Sequence, residues 1–262
     1  MSTKTDQRAN AILHQLLRAG KSSVENLVAT LGASSASIRR DLARLEEQGL
    51  VHRTHGGAML ASGAAMYEPF RFDATFEVRE DRFAAEKLRI AQAAAALVEE
   101  GETIGLAAGT TTTLVARQLS HRRNLRIITN AVNIGMELSS SAHVQTTLTG
   151  GNMRWAGAFS LVGSAAIESL AWVIMDRLFL GATGVDPDHG ATVIQLDEGA
   201  VFRAMARQAR LRIVTADSSK LGHISPSVVC HTKEIDLLIT DDGVTEELVK
   251  RFESQGVEVM IV

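Results

Sequence analysis

Ser34-Ser35-Ala36-Ser37-Ile38-Arg39-Arg40-Asp41-Leu42 is the stretch on which the fold turns. Ser34 is a helix-capping residue type. Ile38, Leu42 and Leu45 then recur at helical spacing, and Gly49 follows as a stop, so a helix with one apolar face is predicted here. Its exposed N-terminal side carries Ser35, Ser37, Arg39 and Arg40. Short hydroxyls and forked guanidiniums at the start of a helix are groups that reach base edges and phosphates in a major groove. A solvated helix face would look similar, with Arg40 or Arg44 paired to Asp41 or Glu47.

The flanks decide between the two. Upstream, Ala9, Ile12, Leu13, Leu16 and Leu17 share a helical face that Gly20 ends. Ser22 and Glu25 have capping-box spacing, so a second helix is predicted from Ser22, with Val24, Leu27, Val28 and Leu31 as its stripe and Gly32 as its stop. Two short helices joined by a glycine turn form a helix-turn-helix candidate. Downstream, Leu50-Val51-His52-Arg53-Thr54-His55-Gly56-Gly57-Ala58 reads as a short strand, a tight turn and a returning strand. Such a hairpin is a wing, with Arg53, His55 and the Gly56 turn placed to touch phosphates. His52 and His55 have no third ligand nearby, so no metal is expected.

This run of residues resembles the DeoR family of bacterial regulators. The resemblance rests on Ser34-x-x-Ser37-Ile38-Arg39-Arg40-Asp41-Leu42 and Leu45-Glu46-x-x-Gly49-Leu50-Val51-x-Arg53-x-His55-Gly56-Gly57-Ala58. Ser37 stands where the family usually has Thr, and the hydroxyl is kept.

Charge is distributed in keeping with a DNA-reading head. Residues 1–60 hold eight Lys and Arg against five Asp and Glu, while the remainder holds 19 against 25, for a net charge of -3 over 262 residues. A basic head on an acidic body fits a nucleic-acid module joined to a different one. The predicted domains are 1–58 for DNA binding, 59–76 as linker and 77–262 for effector sensing. Aromatics are only 4% of the chain, so the cores must rest on Ala, Val, Ile and Leu. Cys230 is the single cysteine, which excludes an intramolecular disulfide and fits a reducing compartment. No secretory leader or membrane-spanning run is read, and a cytoplasmic protein is expected.

Beyond the linker a long helix is predicted from Glu77 to Glu100, with Leu88, Ala91, Ala95 and Val98 on one face. Apolar runs at 103–107, 125–129, 144–148, 176–182, 211–216, 235–240 and 257–261 then alternate with helical segments. The expected fold is a small α+β winged helix-turn-helix followed by an α/β domain with a largely parallel sheet covered by helices. Ligands of such sheets bind beyond the C-terminal strand ends. There stand Gly109-Thr110-Thr111-Thr112, Thr129-Asn130, Gly150-Gly151, Gly181 to Gly184, and Asp217 to Lys220. Each is also ordinary turn or capping chemistry. Together they describe one rim with several donors and one cation, suited to a phosphorylated ligand.

This half also resembles the DeoR-type sensor domain, itself related to ribose-phosphate isomerases and CoA transferases. The resemblance implies a sugar-phosphate effector at Gly109, Thr110, Thr111, Thr129, Asn130, Gly150, Gly151 and Lys220. Thr112, Gly184, Glu198 and Asp217 complete the candidate set. Three departures stand out: Ala107 replaces a usual Asp, Phe202 replaces a usual Lys beside Arg203, and Leu221-Gly222-His223 replaces Phe-Gly-Arg. The implied protein is a repressor of a carbohydrate operon, without cofactor, acting as a homodimer or homotetramer on operator DNA. Two alternatives remain open at this point. One is a sugar-phosphate isomerase using Glu198, Asp217 and Lys220 as acid, base and electrophile. The other is a regulator whose large domain only holds the oligomer together.

Overall fold

The computed structural model describes residues 8, 9, 11–13, 15, 16, 21–47, 50–54, 56–60, 76–154 and 159–262. The chain forms two compact units, residues 1–82 and 83–262.

In the first unit the described residues between 8 and 16 are helical, and Ala9, Ile12, Leu13 and Leu16 are buried. Then come β1 (Lys21–Ser23), α1 (Val24–Leu31), α2 (Ser35–Glu47), β2 (Val51–Thr54) and β3 (Gly57–Leu60). Ile38, Leu42 and Leu45 join Leu27, Val51 and Ala58 in one core. The cap of α1 differs from the expected one. Ser23 is the N-cap, and its Oγ accepts the Asn26 amide at 3.1 Å. Ser22 is instead a buried residue of β1, a strand the sequence did not announce. β1 pairs antiparallel with β3, giving a three-stranded wing in the order β1-β3-β2. The paired glycines divide the work of the turn. Gly56 takes a left-handed φ of 90°, while Gly57 lies where a Cβ would overlap the Ser22 carbonyl.

The predicted helix 77–100 is two helices, α3 (Phe76–Asp81) and α4 (Ala84–Ala96). Phe83 breaks them with a φ of 51°, a left-handed conformation a phenylalanine rarely adopts. Leu88, expected on the buried face of α4, is exposed; Ile90, Ala91, Ala94 and Ala95 are the residues that pack.

The second unit continues with β4 (Thr103–Leu106), α5 (Thr110–Leu119), β5 (Leu125–Thr129), α6 (Val132–Leu138) and β6 (Val144–Leu148). A short hairpin, β7 (Asn152–Met153) and β8 (Leu161–Val162), leads into α7 (Ser164–Leu170) and β9 (Met175–Leu180). The chain ends with β10 (Gly184–Asp186), β11 (Gly190–Val193), α8 (Leu196–Arg207), β12 (Ala209–Thr215), β13 (Ser227–Cys230), β14 (Leu237–Thr240), α9 (Glu246–Ser254) and β15 (Glu258–Ile261). Seven strands form one parallel sheet in the order β15-β14-β12-β9-β4-β5-β6. β10, β11 and β13, not anticipated as strands, make a separate antiparallel sheet. The core is built almost wholly of Ala, Val, Ile and Leu, with Phe179, Phe202 and Phe252 as its buried aromatics. Among the described residues no helix is long and apolar enough to cross a membrane.

This topology fixes where a ligand can enter. From β4 the chain winds outward through β5 and β6, then returns to β9 on the other side of β4 and winds the opposite way. The reversal opens a crevice at the C-terminal ends of β4 and β9.

Candidate nucleic-acid interface and effector rim

Ser34 caps α2: its Oγ accepts the Ser37 amide at 3.2 Å and lies 3.0 Å from the Ser37 hydroxyl. Ser35, Arg39 and Arg40 are exposed on this helix. Arg39 and Arg40 have no hydrogen-bond or ion-pair partner among the described residues. Asp41, one candidate partner for Arg40, is buried and receives Arg8 Nε at 2.6 Å. That bond ties the first helix to α2 and leaves the two guanidiniums available to a partner from outside.

The wing is more constrained. Arg53 donates its amide to Glu46 Oε1 at 2.9 Å, and its guanidinium lies 3.7 Å from Glu46 Oε2. A phosphate would compete with that carboxylate. The Gly56 carbonyl accepts the Val24 amide at 2.8 Å, so this residue locks the wing to the start of α1. His55 lies outside the described residues. Lys21, on the unforeseen β1, is exposed beside Met59 and adds a cation to the wing sheet.

On the second unit, strand register places the expected rim along one sheet edge. Leu106 lies beside Thr129 and Phe179, Thr129 beside Leu148, and Leu180 beside Val214. The loops after β4 and β9 meet at glycines: a Cβ on Gly109 would sit 3.9 Å from the Gly181 Cα. Gly109 opens α5 without a side-chain cap, so the first amides of that helix point outward unclaimed by a capping oxygen. Helix amides in this state favour an anion.

The four threonines that follow have different tasks. The hydroxyls of Thr110 and Thr111 make no hydrogen bond to the described residues. Those of Thr112 and Thr113 both donate to the Gly109 carbonyl, at 3.0 and 2.7 Å; Thr111 is buried like them but keeps its hydroxyl out of such a bond. Thr112 therefore spends its hydroxyl on shaping the loop. Thr129 and Asn130, expected on the rim, are fully buried and hold the loops beneath it. Thr129 Oγ1 donates to the Leu106 carbonyl at 2.6 Å. Asn130 accepts the Ala108 amide at 2.9 Å and donates to the Leu161 carbonyl at 3.2 Å, joining the β4 loop to the β7–β8 hairpin.

Gly150 and Gly151 are exposed after β6, and Gly151 takes a φ of 115° where the hairpin crosses closely. Gly184 is buried in β10, against the His223 backbone, and offers nothing to solvent. Asp217 is buried, and Ser219 donates its hydroxyl to it. Lys220 closes the short turn Ser218–Lys220, half-buried at the rim. Asp241, which the sequence did not single out, holds that turn by accepting the Ser218 amide at 2.6 Å and the Ser218 hydroxyl at 2.7 Å. Glu198 stands in the first turn of α8 and pairs with Arg154 at 3.2 Å. Arg154 was also missed, because it lies far from Glu198 in sequence.

Two of the three departures find physical explanations. Ala107 and Phe202 are both buried in the hydrophobic core, where a carboxylate or an ammonium would be desolvated. Arg203 does not replace the missing cation at the rim: it donates to Ser227 Oγ at 3.1 Å and to the Val228 carbonyl. With Asp217 sealed and Glu198 paired, the acid and base of an isomerase are not poised together.

A model of the DeoR-like helix-turn-helix domain matches residues 8–63, and one of the DeoR C-terminal sensor domain matches residues 82–242. The HTH-type transcriptional regulator GolR of Listeria innocua is 31% identical over 255 residues, covering 97% of this chain and 98% of that one. The HTH-type transcriptional repressor GlcR of Bacillus subtilis is 32% identical, covering 98% and 96%. The HTH-type transcriptional regulator GlpR of Haloferax volcanii is 34% identical, covering 91% and 90%. These relatives are named as regulators and not as enzymes. With both halves matched in order along one chain, the protein belongs to the DeoR family of transcriptional regulators.

Proposed function

We propose that this regulator represses a carbohydrate-utilisation operon and that a phosphorylated or otherwise anionic sugar controls its grip on DNA. In this reading residues 1–58 bind the operator, 59–76 connect, and 77–262 sense the metabolite. The observation that carries it is the uncapped start of α5 at the strand-order reversal, with the free hydroxyls of Thr110 and Thr111 beside the Gly181 loop. Lys220 supplies a cation on the same rim, and Gly150 and Gly151 leave backbone open to an approaching ligand. A two-fold operator calls for at least a dimer of the chain, working in the cytoplasm on the nucleoid.

The test is a gel-shift titration on an operator recovered by genome-wide mapping of bound DNA. Ribose 5-phosphate, glucose 6-phosphate and glycerol 3-phosphate are added in turn, beside their unphosphorylated counterparts. At least one anionic compound is expected to shift the titration in the native protein. Thr111→Val should bind the operator normally and lose the response. If no phosphorylated or carboxylated sugar alters DNA binding or gives heat in calorimetry, the large domain is an oligomerisation scaffold and the sensing reading fails.

A further inference from the structure

Most arginines of residues 83–262 pair with a carboxylate, as Arg89 does with Asp242, Arg177 with Glu102 and Arg251 with Asp188. Arg203 and Arg207 do not, among the described residues. They stand one helical turn apart on α8, a spacing at which like charges repel. Both line a cavity of about 460 Å³ between α8 and β13, and Arg212 of β12 lines it as well.

The local compensation is thin. Arg212 is held by Asp236 at 3.0 Å. Glu234 is the lining carboxylate, and its Oε2 already accepts the His231 amide at 2.7 Å. Arg203 spends one nitrogen on Ser227 and Val228, which leaves the other guanidinium N–H groups. Arg207 is exposed with no partner among the described residues. Its place in the last turn of α8 suits the helix dipole, which explains one cation but not three around one concavity. Ser227 and His231 are the other polar residues of the wall, and Ala206 and Val229 stand among its apolar ones. Leu196 is 68% exposed at the cavity, and Pro226 and Val228 line it too.

We propose that this cavity is a second ligand site, distinct from the effector rim, which takes a small organic anion: a carboxylate or phosphate ester carried on an apolar body. Guanidinium forks match the paired oxygens of such a group. The exposed Leu196 with Pro226 and Val228 gives the cavity an apolar side, against which a bare inorganic ion would be the poorer occupant. No residue of the Thr110–Thr111 loop or of the Ser218–Lys220 turn lines this cavity. The site thus offers the regulator a second chemical input.

Calorimetry on the full chain tests this with benzoate, phenyl phosphate, inorganic phosphate and neutral benzamide. Saturable binding is expected for benzoate, phenyl phosphate or both, and the relative affinities distinguish a carboxylate source from a phosphate one. Benzamide and inorganic phosphate should bind at least ten-fold more weakly. Arg207→Ala and, independently, Leu196→Asp alter exposed side chains and should each weaken the organic anion at least ten-fold, with melting temperature unchanged. Lys220→Ala, which alters the rim instead, should keep the heat. Absence of saturable binding, equal binding by native protein and Arg207→Ala, or loss of binding in Lys220→Ala would each overturn the assignment.

Discussion

Two single residues show how local chemistry sets the limits of this fold. Gly57 lies under the Ser22 carbonyl, where any Cβ forces β1 away from β3. Gly57→Ala is therefore expected to destabilise the first unit by about 1–3 kcal/mol, a normal range for local overpacking. Gly56→Ala meets no neighbour within 4 Å but keeps the strained φ of 90°, so it should cost less. Urea denaturation of the two variants separates steric overlap from backbone strain. Cys230 makes the second case. Burial, reinforced by nearby Glu234, pushes its thiol up to about 12. The unfolded chain titrates this group near about 8.5. The folded state thus holds the proton longer, and the stability tied to it is full below about pH 8.5 and declines from there towards pH 12. The urea midpoint of the native protein should fall more between pH 7 and pH 10 than that of Cys230→Ala. Equal falls would show that the buried thiol plays no part.

At the scale of elements, α2 and the wing make separable contributions to DNA binding. Among the described residues Arg39 and Arg40 have no partner on α2, whereas Arg53 shares its charge with Glu46. Arg39→Ala and Arg40→Ala should weaken operator binding, and whichever arginine meets a base should relax specificity there by about 1–3 kcal/mol. Arg53→Ala should weaken all duplexes alike and flatten the salt dependence. Glu46→Gln should strengthen non-specific binding by releasing Arg53. Gel shifts across a salt series read all four, and no change in any of them would sink the winged-helix interface. These elements were legible because Ile38, Leu42 and Leu45 repeat at helical spacing and the strands of the parallel sheet are apolar runs. β1 was not, because Lys21-Ser22-Ser23 has no apolar residue and owes its strand to pairing with β3. The break at Phe83 was hidden because the stripe Leu88, Ala91, Ala95 and Val98 lies wholly after it and no glycine or proline marks the left-handed turn. The rim was legible as glycines and threonines at strand ends. Which hydroxyls face inward was not, since the carbonyl partners and the burial that set Thr112 and Thr129 apart from Thr110 come from the folded loops. Arg154–Glu198 and Asp241–Ser218 are contacts between distant segments, with no local signal to find them.

The whole molecule joins a basic reader to an acidic body, and repression that responds to a metabolite requires the two to share one equilibrium. An effector moves that equilibrium only by binding DNA-competent and DNA-incompetent states with different affinity. Allosteric coupling typically amounts to about 1–3 kcal/mol, or roughly a 5- to 150-fold change in affinity. Linkage then demands reciprocity: operator DNA must lower effector affinity by the factor by which effector lowers operator affinity. Both titrations belong at one salt concentration, because phosphate contacts make the DNA term strongly salt-dependent. For this regulator we expect the two factors to agree when the compound identified by gel shift is titrated calorimetrically with and without operator. Thr111→Val should collapse both factors towards one while leaving operator affinity in the absence of effector intact. Both factors surviving unchanged in Thr111→Val would mean that the compound acts outside the uncapped start of α5, and the cavity beside Arg207 would then be the place to look.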